Sequence, residues 1–271
     1  MIEDDRGSNQ ILEGIYHKGQ AQAWDGKELL GQLVVKHGGV HIANKEAAAH
    51  VLSLILWGEL AAWNVAAELV GHFDSLSPKL AATAQAHDES RHFYVMYDYL
   101  RVAGIEPVDL PQSSQKMINS VLRTKSTAKK LLGMHLMVEP IALALFREIR
   151  RSNVEPVLCE LLKRFEVDEA RHVALGVHHL PALVHQMGPA ALIDTAAWQL
   201  RMLMLEVDGL GEMGHHFQQL GIDVNRLYDE AEGRQLRALE ELSGELGWSS
   251  SIWEPVRKVV GFKRAWNTHG Q

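Results

Sequence analysis

Two copies of one short string carry the chemistry of this chain: Asp88-Glu89-Ser90-Arg91-His92 and Asp168-Glu169-Ala170-Arg171-His172. A lone glutamate precedes each, Glu59 before the first and Glu139 before the second. The lone Glu, the Asp, the motif Glu, the Arg and the His are all offset by 80 positions between the copies. Glu and His three residues apart share one helix face, so both can turn toward the same point. Four carboxylates and two imidazoles gathered in this way suit two metal ions held side by side. With no thiolate in the set, hard or borderline ions such as iron or manganese are favoured.

For the halves to meet, each lone glutamate must be brought level with its motif, and a helical hairpin does this. The midpoint of Glu59 and Glu89 is Asp74, inside Gly71-His72-Phe73-Asp74-Ser75-Leu76-Ser77-Pro78. There Ser77-Pro78 reads as N-cap and first helical residue. The midpoint of Glu139 and Glu169 is Val154, inside Ser152-Asn153-Val154-Glu155-Pro156, again a turn before a helix start. Glu68 and Glu148 repeat at the same offset, but they lie nine residues past the lone glutamates. That is about half a turn out of phase. Glu59 and Glu139 have apolar neighbours, whereas Glu148 sits among Arg147, Arg150 and Arg151, which reads as a solvated face.

Nearly the whole chain patterns as helix, with no period-two strand. After a loose N-terminal stretch, a short helix is expected from about Lys27 to Lys36, then a break at Gly38-Gly39. Long helices follow from about His41 to Gly71, Ser77 to Ala103, Ser113 to Arg151 and Pro156 to Leu180. A kink is expected near Pro140, whose ring clashes with the preceding turn. Between His92 and Glu139 the two helices have unequal reach, so a crossover is expected there rather than a tight hairpin. Further helices are expected over Pro189 to Leu220, Val224 to Leu246 and Trp253 to Trp266, packing on the bundle or forming a dimer contact.

Composition sets the outer limits. An apolar content of 46% over 271 residues supports a sizeable core. A net charge of −7 argues against nucleic acid or an anionic membrane as partner. The single Cys159 excludes an intramolecular disulfide and suits a reducing compartment. The acidic start, Met1 to Arg6, lacks the apolar stretch of a signal peptide, and the richest apolar run, Val51 to Leu60, is broken by Glu59. A cytoplasmic protein is the expectation.

The repeated motif with its upstream glutamates resembles the ferritin-like diiron-carboxylate proteins, in which two helices give a Glu each and two give Glu-x-x-His. The fuller Asp-Glu-x-Arg-His form looks most like the oxygen-activating branch: methane and toluene monooxygenase hydroxylases, acyl-carrier-protein desaturases and aerobic cyclases. The resemblance covers about residues 45 to 185. It implies an all-α, ferritin-like four-helix bundle of two hairpins with additional C-terminal helices. One domain would span 1–271, with its metal-binding core over about 41–185 and an extension over about 186–271. It also implies that Glu59, Glu89, His92, Glu139, Glu169 and His172 are metal ligands. Asp88 and Asp168 would hydrogen-bond metal-bound imidazoles, with Arg91 and Arg171 paired to them. The cofactor would be two iron ions, with manganese admissible at either position.

Departures from the family narrow the expected activity. The radical tyrosine of ribonucleotide reductase small subunits falls at Met96, and the extra His of arylamine N-oxygenases falls at Phe165. The Thr of the hydroxylases falls near Ala142 and Leu143. The leading expectation is an oxidase or oxygenase acting with dioxygen on a small, partly apolar organic substrate. A ferroxidase is the alternative, and a non-catalytic bundle the third. No Walker loop, dinucleotide fingerprint or Cys cluster is present, so electrons would come from a separate ferredoxin or reductase.

Other features have plainer readings. His135 is a hydrogen-bonded core histidine, an extra ligand or a proton relay, the first being preferred. His178-His179 and His215-His216 face different ways on a helix. The run Arg123-Thr124-Lys125 with Lys129-Lys130 reads as a solvated face. Trp57, Trp63, Phe93, Met134, Met137 and Phe146 are near the motifs and either line a pocket or, for most of them, pack the core.

Overall fold

The computed structural model describes residues 8–246 and, beyond them, only 249, 251, 254, 255, 257, 258 and 261. The described residues form helices without strands. Four long helical runs make the expected pair of hairpins. The first hairpin is α3 (Lys45–His72) against α4 (Leu76–Ala103). The second is α7 (Glu139–Arg151) against α8 (Pro156–His185). α3 starts where the Asn44 side chain accepts the Ala47 amide proton at 3.0 Å. α8 starts with Pro156 in its first turn and the Glu155 carboxylate accepting from the Leu158 amide at 2.8 Å. α4 ends at Gly104, whose φ of 64° lets its amide turn back onto the carbonyls of Leu100 and Arg101.

The structure moves several expected boundaries. The N-cap position of α4 is Ser75, which makes no side-chain capping bond, and not Ser77, which is buried and donates its hydroxyl to Glu13 at 3.2 Å. The expected continuous helix from Ser113 to Arg151 is three pieces: α5 (Gln112–Arg123), α6 (Thr127–Gly133) and α7, with a π-helical turn over Met134–Val138 joining the last two. Ser126 restarts the chain as N-cap of α6. The π turn takes the place of the kink expected at Pro140. Pro140 cannot donate to the carbonyl one turn back, and the helix widens just before it, with the Glu139 amide bonding Met134 five residues earlier.

The connection between hairpins is the expected crossover. Val108 meets the early part of α3, where Trp57 Nε1 donates to its carbonyl at 2.8 Å and its amide donates to Ser53 Oγ at 2.9 Å. By Lys130 the chain has reached the far end of α3, where Lys130 Nζ pairs with Glu68 at 2.8 Å. Lys130 is fully buried, so it departs from the solvated face expected of that basic run.

The N-terminal stretch, expected to be loose, holds α1 (Ser8–Ala21) ahead of α2 (Gly26–His37). Leu12 and Ile15 bury α1 against the bundle, and a Cβ on Gly19 would stand 3.2 Å from Ala84 Cβ, so only glycine allows this approach without a shift. Beyond the bundle, α9 (Pro189–Glu212) packs on α5 and α6. After a break at Met213 come α10 (Gly214–Gln219) and α11 (Val224–Glu245), which packs on α7 and α8. The helix expected from Trp253 to Trp266 falls largely outside the described residues.

The core is divided along the bundle axis. One apolar cluster takes Leu56, Val95, Ala144 and Phe165, and the other takes Ala61, Ala82, Met137 and Leu175. On each of the four helical runs, the repeated acidic and imidazole residues fall between these positions. A charged layer is therefore clamped between two dry ones. α3 is long and apolar enough to cross a membrane by length and composition, contrary to the expectation from sequence, but it contributes Glu59 and its apolar face to this core.

Candidate metal centre

All six expected ligand residues meet in the charged layer, and none is more than 4% exposed. They form two overlapping groups, Glu59–Glu89–His92–Glu169 and Glu89–Glu139–Glu169–His172, each with one ligand atom per residue inside 4.8 Å. Glu89 and Glu169, the motif glutamates, are common to both groups. Glu59 and His92 belong to one group only, Glu139 and His172 to the other.

The imidazoles turn Nδ1 inward. His92 Nδ1 lies 3.2 Å from Glu59 and 3.3 Å from Glu169, and His172 Nδ1 lies 3.0 Å from Glu89 and 3.2 Å from Glu169. Nε2 points outward, and the pairing crosses between the hairpins. His92 Nε2 meets Asp168 at 3.1 Å, and His172 Nε2 meets Asp88 at 3.3 Å. The arginines complete the exchange. Arg91 donates to Asp88 at 2.6 Å and to Asp168 at 2.9 Å, and Arg171 donates to Asp168 at 2.6 Å and to Asp88 at 2.8 Å. Each aspartate thus serves the histidine of the other motif, and each arginine bridges the two hairpins.

Burial weighs most on Glu59, Glu89, His92, Glu139, Asp168 and His172 and disfavours their charge. For Glu59 and Glu139 burial prevails and lifts the pKa well above the usual carboxylate value. For His92 and His172 it is outweighed by the surrounding acids, Asp168 and Glu169 for the first and Glu169 and Glu89 for the second, and both are raised. Glu89 and Asp168 are lowered against their burial by the facing imidazoles.

The layer holds residues that the repeat does not reveal. Gln85 Nε2 donates to Glu139 at 2.7 Å and more weakly to Glu89 at 3.3 Å, while Gln85 Oε1 accepts from His135 Nε2 at 2.8 Å. His135 is therefore a hydrogen-bonded core residue, outside both ligand groups, and burial pushes its pKa down to about 3. Gln85 lies one turn before Glu89, a position the helical period marks as inward. Its counterpart 80 residues on is Phe165, which stacks on His92 at 4.0 Å. The repeat fails at this position, so the two halves of the site differ. Trp24, between α1 and α2, donates from Nε1 to Asp168 at 2.9 Å with the Arg91 guanidinium over its ring at 4.7 Å, and Gln22 accepts from Arg171 at 2.7 Å. Neither has a sequence signal, because nothing local ties that loop to α8. Trp24 and Asp168 also line a surface pocket of about 430 Å³.

Glu68 and Glu148 stay out of the layer, as their phase requires. Glu148, however, is buried rather than solvated, with Arg151 closing over its carboxylate. The histidine pairs do other work: His216 stacks on His50 at 3.9 Å, and His179 meets Phe73 edge-on at 4.6 Å.

An apolar cavity of about 110 Å³ opens on Glu59, Glu89, Glu139 and Glu169. Of the six aromatic and methionine residues near the motifs, only Met134 lines it; Phe146, for one, packs in the core against Phe165. α9 supplies the far wall with Glu206, whose buried carboxyl is pushed up to about 8. A folded pKa above the reference 4.5 gives stability that is full below 4.5 and lost as pH rises through about 8. Glu206→Gln should therefore gain on the parent chain by up to about 1.4 kcal/mol per pH unit between roughly pH 5 and pH 8. Urea denaturation across that range checks this, and a constant gap between the two proteins would contradict it.

Neither a family model nor a curated relative matches the chain. Solved structures do. One form of an R2-like ligand-binding oxidase, with an aerobically reconstituted Mn/Fe cofactor, matches with a TM-score of 0.63 at 15% identity, over 88% of this chain and 97% of that one. Another, with an anaerobically reconstituted Mn/Fe cofactor, matches with a TM-score of 0.60 at 15% identity, over 85% of this chain and 92% of the other. At this identity the likeness is one of fold: the all-helical ferritin-like bundle.

Proposed function

We propose that the chain is an oxidase or oxygenase that uses a pair of metal ions, two iron or one manganese and one iron, to oxidise a small organic substrate with dioxygen. Glu59, Glu89, His92, Glu139, Glu169 and His172 would hold the pair. The observation that carries this reading is the overlap of two four-residue ligand groups through Glu89 and Glu169, beside a cavity of about 110 Å³. The residues fit such ions. Glu89 Oε2 and Glu139 Oε2 are buried without a hydrogen-bond partner, and oxygen-rich sets with two imidazoles suit iron and manganese. Bound there, the metals would supply the redox and Lewis-acid chemistry that side chains lack.

The protein's own part is geometric and electrostatic. Asp168 and Asp88, facing Nε2 of His92 and His172, would keep the proton there when a metal displaces the one at Nδ1, so each inward Nδ1 would be free to ligate. Arg91 and Arg171 offset the charge of both aspartates. Gln85 orients the Glu139 carboxylate. The apolar layers above and below flank the site. A separate electron donor would approach at Trp24, where a hydrogen-bonded path runs from the surface pocket through Asp168 to His92.

A ferrous titration of metal-free protein in air tests the reading. Saturation at about two metal ions per chain, with oxygen consumed, is expected. Continued accumulation of oxidised iron would make iron the substrate and this an iron-handling protein. A folded chain that takes up no metal would leave a bundle with a buried ionic network and no catalysis.

A further inference from the structure

We infer that the cavity beside the carboxylate layer takes a small apolar amine, whose basic nitrogen is held by Glu206 at the α9 wall. This names a substrate class for the oxidase proposed above. It rests on that reading for the reaction of the ligand, though not for its binding. Among the described residues, apart from the four layer glutamates, the only polar side chains lining the cavity are Ser114 and Glu206, and no Lys, Arg or His lines it. The size limits the ligand, since about 110 Å³ is somewhat less than the roughly 150 Å³ that accommodates benzene.

Glu206 is 8% exposed, and no ion pair to it is found among the described residues. Both its oxygens accept from one donor, Gln235 Nε2, at 2.9 and 2.7 Å. Gln235 is steadied in turn by the Met137 carbonyl of the π turn at 3.5 Å. Gln235 brings no charge, and burial without a cation makes the ionised carboxylate costly. An ammonium group removes that cost. An alcohol brings a hydrogen bond without the charge, and a carboxylate ligand would set a second acid against the first. Glu232 on α11 adds its field to Glu206, and Glu59, Glu89, Glu139 and Glu169 stand around the same cavity from α3, α4, α7 and α8. α5 contributes no charge to the lining. With its carboxyl pushed up to about 8, Glu206 is mostly protonated at neutral pH and must lose that proton to the solvent when an ammonium ion enters.

The test is calorimetry of n-butylamine, 1-butanol and butanoate, on metal-free and iron-loaded protein, in two buffers of different ionisation enthalpy. Butylamine should bind at least about tenfold more tightly than butanol. It should release about one proton per ligand at pH 7 and none well above pH 8. Glu206→Gln should lose both the preference and the proton release while still binding butanol, which shows that its cavity is intact. Tighter binding of butanol or butanoate, or an undiminished amine preference in Glu206→Gln, would overturn the inference. Protein that binds two metals but no amine loses this inference alone. Protein that binds amine but no metal keeps it and loses the oxidase reading.

Discussion

Glu89→Ala protein will bind neither metal ion tightly, whereas Glu59→Ala protein will retain about one of the two per chain. The difference follows from membership of the ligand groups. Glu89 and Glu169 each belong to both groups, so in the proposed site removing either would deprive both groups of an oxygen at once. Glu59 and Glu139 each belong to one, and their loss leaves the other group with its full set. His92→Ala and His172→Ala should each behave like Glu59→Ala, since each imidazole faces one group. Metal content after ferrous or manganous loading and desalting, with far-UV circular dichroism as a control on folding, reads this directly. Equal losses in Glu59→Ala and Glu89→Ala would mean that the glutamates do not divide into shared and private positions. Loss of Gln85 should act more gently, because it orients Glu139 without joining either group. An outer partner of this kind typically alters affinity by about 10–100-fold.

Much of this layer is legible in the amino-acid sequence, for a physical reason. A site that four helices build from a repeated string leaves the same spacing twice, and the helical period then decides which residues face inward. That logic selects Glu59 and Glu139, rejects Glu68 and Glu148, and requires the crossover. It does not reach the exchange of partners, in which Asp88 serves His172 and Asp168 serves His92, because the repeat is equally consistent with pairing inside one motif. The π turn shows in the sequence only as a kink at Pro140, since the ring announces a lost hydrogen bond without saying how the helix absorbs it. α1, Gln22 and Trp24 escape such reasoning because their partners lie on α4 and α8, far away in sequence. Glu206 escapes it for a similar reason. A lone Glu on an amphipathic helix reads as solvated until α11 closes over it with Gln235.

The exchange of partners leads to the largest expected effect on stability. Arg171→Ala should destabilise the metal-free protein by about 3–5 kcal/mol, as breaking a buried ion pair from one side does. Arg171 is 7% exposed and donates to Asp88, Asp168 and Gln22, so its loss leaves two buried aspartates with one guanidinium and two imidazoles. Surface pairs give a contrasting scale: Lys36, with 59% of its side chain exposed, pairs with Glu160, and Lys36→Ala should cost no more than about 1 kcal/mol. If the cost of Arg171→Ala comes from uncompensated charge rather than lost packing, Asp88→Asn in the same chain should restore part of it. Urea denaturation of the two single variants and the double variant closes that cycle. Additive losses would mean that the arginine acts mainly as a spacer between α1 and α8. A favourable coupling of about 1 kcal/mol or more would mean that the crossed pairs join the hairpins electrostatically. Because Asp88 also holds the proton on His172 Nε2, the rescued double variant should recover stability without recovering metal affinity. That separation is the result to look for, since a residue that only filled space would recover both or neither.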